Sequence, residues 1–126
     1  MLAWVLGMGA GVVCVPALAH HSFAVFDQSR QMTITGTVKD FQYTNPHGWI
    51  DVIVTGPQGT FEQWGVETGP PNMLRQQGWT DHSLKPGDKV TIVVHPRKDG
   101  SHVGALMMAT LPDGRVLGRP PAASKP

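Results

Sequence analysis

Residues 32–55 read MTITGTVKDFQYTNPHGWIDVIVT, and this stretch decides the fold. Met32, Ile34 and Val38 alternate with Thr33, Thr35, Thr37 and Lys39, the period of two that lays one strand face on a core and the other in water. After the turn Asn45-Pro46-His47-Gly48 the alternation resumes, with Ile50, Val52 and Val54 on one face and Trp49, Asp51 and Ile53 on the other. Strands are therefore expected at 32–43 and 49–55. Gly36 interrupts the first as a bulge or sharp bend would, and a strand that bends midway can serve both sides of a closed barrel.

Toward the C-terminus, Gly56-Pro57-Gln58-Gly59 is a turn before a third strand at 60–67. Gly69-Pro70-Pro71-Asn72 then leads into Met73-Leu74-Arg75-Gln76-Gln77, closed by Gly78; prolines before a helical turn and glycine just past it bracket a short helix. Lys85-Pro86-Gly87-Asp88 turns into a fourth strand at 89–95, a fifth spans 103–111, and Pro112-Asp113-Gly114-Arg115 makes a hairpin turn into 116–117. Three strands, a short helix and two strands is the order of an OB-type Greek-key barrel. The expected fold is thus all-β, a small five-stranded OB-like barrel with one short helix between strands 3 and 4. A small sandwich of the same strand count is the alternative, because chain order does not fix pairing. Phe61, Trp64 and Trp79 are expected in the core, since so small a domain has few large side chains to fill it.

Toward the N-terminus the first charged residue is Asp27. An apolar run from Met1 to Val15 is followed by Pro16-Ala17-Leu18-Ala19, a hydrophobic stretch and small-x-small cleavage site that read as a secretory signal. No Lys or Arg precedes the run, so the natural start codon is expected upstream of Met1. Gly7, Gly9, Gly11 and Pro16 argue against a permanent membrane anchor. The glycines also resemble half of a dinucleotide fingerprint, but no strand precedes them. Cleavage after Ala19 starts the mature chain at His20 and places it in the periplasm or outside the cell, with no stable membrane insertion. The expected organisation is a signal at 1–19, an arm at 20–31, the barrel at 32–117 and a disordered tail at 118–126.

The chain has 126 residues, with 10 Lys+Arg against 9 Asp+Glu, room for one small domain and no multidomain enzyme. Its basic residues are scattered, which leaves no footprint for nucleic acid. The single cysteine, Cys14, falls in the signal. The exported part therefore has no disulfide, thiolate metal site or thiol nucleophile. No nucleophile elbow, phosphate loop or zinc-protease helix motif is present, and the protein is not expected to be an enzyme.

The six histidines lack a core explanation: His20, His21, His47, His82, His95 and His102 lie at the mature N-terminus, in loops or at strand ends. Cleavage frees an α-amine on His20, with a reference pKa of about 8, which a metal deprotonates while also taking the imidazole. One further imidazole completes an all-nitrogen set suited to Cu(II), with Zn(II) as the other candidate. In an OB barrel the loop carrying His47 and the loop bracketed by His95 and His102 flank one face. The arm from His20 to Gln31 spans 12 residues, an extended reach of about 40 Å, so convergence with His47 is allowed. Against these stand plainer readings: a polar mature start for His20 and His21, a turn histidine at 47, and a solvated His82. Glu67, at the end of the third strand, is a metal ligand, an acceptor orienting an imidazole, or a solvated strand end. Asn45 is expected to form an Asx turn.

Several short motifs occur in order: His20-His21-Ser22-Phe23 after Ala19, Thr44-Asn45-Pro46-His47-x-Trp49, Glu67-x-Gly69-x-Pro71-Asn72, Gly78-Trp79, Leu84-Lys85-Pro86-Gly87-Asp88-x-Val90, Lys98-Asp99-Gly100-Ser101 and Leu111-Pro112-Asp113-Gly114. Together the chain resembles a bacterial family of small exported proteins known only as a domain of unknown function. The resemblance implies a periplasmic single domain, supplies no activity, and directs attention to His20, His21, His47, Trp49 and Glu67; His95 and His102 fall outside its motifs. From the histidine set and the small size of the domain, not from the resemblance, carriage, buffering or delivery of copper is the expectation. The alternatives are an OB-like binding module in which Trp49 stacks a sugar or other small ligand, and an interaction protein whose arm orders on a periplasmic partner.

Overall fold

The computed structural model describes residues 23–118. The expected leader, His20, His21 and the tail beyond Gly118 lie outside those residues. Six strands form in chain order: β1 (Met32–Gln42), β2 (Trp49–Thr55), β3 (Phe61–Glu67), β4 (Lys89–Pro96), β5 (Val103–Thr110) and β6 (Val116–Gly118). One helix, α1 (Pro71–Gln76), sits between β3 and β4.

The sheet closes on itself. β1 pairs antiparallel with β2 and β4, β2 with β3, and β4 with β5, while β3 and β5 pair in parallel. This ring of five strands, β1-β2-β3-β5-β4 and back to β1, is the OB-type mixed barrel, and it displaces the two-sheet sandwich. β6 extends the sheet beyond β5.

β1 is long enough to serve two neighbours. Its first half, Met32 to Thr37, pairs with β4, and its second half, Thr37 to Gln42, pairs with β2. The register shift falls between Val38 and Asp40, not at Gly36 as expected. Gly36 serves close packing instead, because a Cβ there would run into the Ile53 carbonyl of β2. The missing side chain lets two strands approach where β1 changes partners.

The inward faces follow the alternation read from the sequence. Ile34 and Val38 of β1, Ile50 and Val52 of β2, Trp64 and Val66 of β3, and Val90, Ile92 and Val94 of β4 are buried in one cluster. Leu74 of α1, with Trp79 and Leu84 beyond it, joins the same core, and Phe41 packs on Trp79 with ring centroids 5.9 Å apart. Phe61 does not belong to it and is 76% exposed. Trp64 and Val66 set the inward phase of β3, and Phe61, an odd number of residues away, projects to the other face opposite Thr55.

The segment before β1 is tied to the barrel. Phe26 forms an antiparallel bridge with Arg97 and is buried. The Asp27 amide donates to the Pro96 carbonyl at 2.8 Å, and the Lys98 amide donates to the Val25 carbonyl at 2.9 Å. No helix among the described residues is long and apolar enough to cross a membrane.

Candidate functional site

The loop from β1 to β2 is held against the chain that follows β3. The Thr68 amide donates to the Gly48 carbonyl at 3.0 Å, the Gly48 amide to the Gly69 carbonyl at 3.3 Å, and the Tyr43 hydroxyl to the Pro71 carbonyl at 3.0 Å. Within the loop the Thr44 hydroxyl donates to the His47 carbonyl at 3.3 Å; Thr44, where Asn45 was expected, makes the local side-chain bond. These ties bring the His47 ring to Glu67 at the end of β3, with Nδ1 3.9 Å from Oε1.

Both residues line a cavity of about 130 Å³ whose walls include Phe26, Met73, Leu74 and Leu106. His47 and Glu67 are its ionisable groups. That volume holds an ion with a few waters, each about 30 Å³, and lies well below the roughly 300 Å³ at which small-molecule pockets begin. Two ligands about 2.1 Å from one ion stand roughly 3 Å apart at a right angle and about 4 Å apart in line. The observed 3.9 Å falls inside that span. The pair therefore suits one shared cation, or a carboxylate that orients an imidazole.

Phe26 brings the N-terminal segment to the same cavity. His20 lies six residues before Phe26, within about 20 Å of extended chain. Two Asp-x-Ser turns flank this junction. The Asp27 carboxylate accepts from the Ser29 hydroxyl at 2.6 Å and amide at 3.0 Å, and Asp99 accepts from the Ser101 hydroxyl at 2.6 Å and amide at 2.9 Å. The serine hydroxyls, then the amides, hold both carboxyls below their ordinary value by favouring the charged form.

The remaining candidates are used elsewhere. His95 on β4 places Nδ1 2.7 Å from the Arg30 carbonyl; a carbonyl only accepts, so Nδ1 carries the proton and the ring fastens the segment entering β1. His102 stacks on Trp64 at 4.9 Å between centroids and 16° between planes, with Nε2 3.9 Å from Glu62. His82 faces its neighbour Asp81 at 3.5 Å. His95 and His102 thus do not join His47 and Glu67, and among the described residues no group of three or more His, Cys, Asp or Glu is placed to hold a metal. Trp49 pairs with Glu67 across β2 and β3. It is half-buried, its indole N–H donates to Asp51 at 2.9 Å, and its ring lies over Gly65.

Phe26 and Met73 are the parts of this site that sequence reasoning misses. Phe26 is a single aromatic in a segment that reads as an arm, and Met73 reads only as part of the helical turn.

Fold and site define an OB-type barrel with a small, partly apolar cavity at the junction of its first loop and its N-terminal segment. A family of unknown function, DUF6152, matches residues 10–107, and the chain belongs to that family. The match takes in His20, His21, His47, Trp49 and Glu67. No curated protein and no solved structure matches the chain.

Proposed function

We propose that this is a periplasmic copper-binding protein, exported by its N-terminal signal, that carries, buffers or delivers Cu(II) rather than catalysing a reaction. The mature His20 supplies its α-amine and imidazole, His47 supplies a further ring nitrogen, and Glu67 adds an oxygen or orients the His47 ring. His21 is the alternative N-terminal ligand if cleavage falls one residue later. The observation that carries this reading is the docking of Phe26 in the wall of the cavity that holds His47 and Glu67. An N-terminal segment fastened far from the first loop would have removed the ligand set. His20 stands six residues before that anchor, an extended reach of about 20 Å.

The test begins with the mass of the exported protein, expected to start at His20. Titration with Cu(II) and Zn(II) follows, on the unmodified protein and on His20→Ala and His47→Ala. Loss of tight Cu(II) binding in each variant supports the reading; binding that survives both substitutions, or a mature start other than His20 or His21, overturns it.

The second reading, a sugar or small-ligand module built on Trp49, draws on its place beside Glu67 on the outer face of β2 and β3. The committed N–H and the packing on Gly65 leave that ring less to offer a ligand. Saturable sugar binding abolished by Trp49→Ala, without any metal dependence, would establish it instead.

A further inference from the structure

Among the described residues lining the cavity, one side chain offers a sulfur donor. Met73, the third residue of α1, lines the same wall as His47 and Glu67, with its sulfur against Gly69. It is 49% exposed, whereas its neighbour Leu74 is fully buried in the core. A methionine that fills a gap in a core is enclosed; this one has half its surface free and lines one cavity together with an imidazole and a carboxylate. We propose that Met73 gives the site a second, soft coordination mode, so that the cavity holds copper as Cu(I) through the Met73 sulfur and the His47 ring as well as Cu(II). This rests on the copper reading above and adds to it the oxidation state and the metal selectivity.

The donor chemistry is the reason. Thioethers prefer Cu(I), while Zn(II) favours thiolate, imidazole and carboxylate. A neutral sulfur also adds no charge to a small cavity with apolar walls, which suits a singly charged ion better than a second carboxylate would. An apolar wall of buried Phe26 and Leu74 with half-buried Leu106 would limit water at a bound ion.

The experiment uses the exported, processed protein and measures three metals on each variant: Cu(I) without oxygen, in competition with a chromophoric Cu(I) chelator, then Cu(II) and Zn(II). Met73→Leu keeps size and apolarity on an exposed helical turn, so the fold is retained. Cu(I) affinity is expected to fall by no less than the roughly ten- to hundredfold that even outer-shell partners command, with Cu(II) and Zn(II) affinities unchanged. X-ray absorption of the Cu(I) form should lose its copper–sulfur scattering. Cu(I) affinity unaltered in Met73→Leu while Cu(II) still binds overturns the Met73 assignment alone. An equal fall for all three metals overturns it too, because the side chain then acts on cavity shape. Absence of any copper binding by the unmodified protein overturns the copper reading itself, and with it this one.

Discussion

β3 carries two glutamates, each 3.9 Å from a histidine, and the two pairs are different things. Glu67 meets His47 in the wall of a cavity that the N-terminal segment also reaches. Glu62 meets His102, whose ring is already stacked on buried Trp64. The two glutamates stand five residues apart, so the pleat sends them to opposite faces. The same pairing distance therefore marks a candidate ligand pair at one place and a packed aromatic contact at the other. Surroundings separate them, not the distance: His47 and Glu67 line one cavity together, whereas the His102 ring lies stacked on Trp64.

The comparison breaks most severely at Trp64. Trp64→Ala removes a buried ring and the platform under His102, at about 3–5 kcal/mol, which denaturant unfolding will register. Copper titration of the fraction still folded should find the His47 site intact. Phe26→Ala reverses the pattern: about 2–3 kcal/mol of burial is lost, the segment before β1 gains hydrogen exchange and protease sensitivity, and tight Cu(II) binding goes with it. Unchanged exchange at 23–31 would show that Phe26 is not the anchor.

The histidines themselves sharpen the contrast with smaller effects. His47→Ala, at a half-buried surface position, should leave stability within about 0.5 kcal/mol, as most surface substitutions do, while Cu(II) affinity falls at least about tenfold. His102→Ala should do the opposite, costing roughly 0.5–1.5 kcal/mol of stacking and nothing in copper affinity. The smallest effect belongs to acid. Because Ser29 and Ser101 hold the Asp27 and Asp99 carboxyls below the ordinary 3.8, the help these turns give is complete above that value and is lost as pH falls through the depressed ones. Amide shifts of Ser29 and Ser101 followed below pH 5 should report it, and Asp27→Asn and Asp99→Asn should flatten the respective curves.

Much of the barrel is legible in local pattern. β2 occupies 49–55 as the alternation requires, and the helix starts on the second of the two prolines and ends before Gly78. Phe61 is misplaced by local reading because Phe61-Glu62-Gln63-Trp64-Gly65-Val66 contains no clean period; its phase is set by pairing with β2. Gly36 does mark a special point of β1, yet the register shift lies beyond it, where β1 leaves one partner for the other. His47 and Glu67 are legible as candidates, but their meeting depends on bonds between Gly48 and residues 68 and 69, twenty positions along the chain. Nothing local announces that Phe26 is buried or that Met73 shares the cavity.

Side-chain alternation and turn chemistry are properties of neighbouring residues, so the amino-acid sequence alone determined the strands, their order, the helix and most of the inward faces. Which histidine meets a carboxylate in a cavity wall, and which is spent on a tryptophan or a backbone carbonyl, is a matter of distant segments meeting. Only closure of the barrel, with the N-terminal segment laid along β4 and the first loop fastened behind β3, decided that.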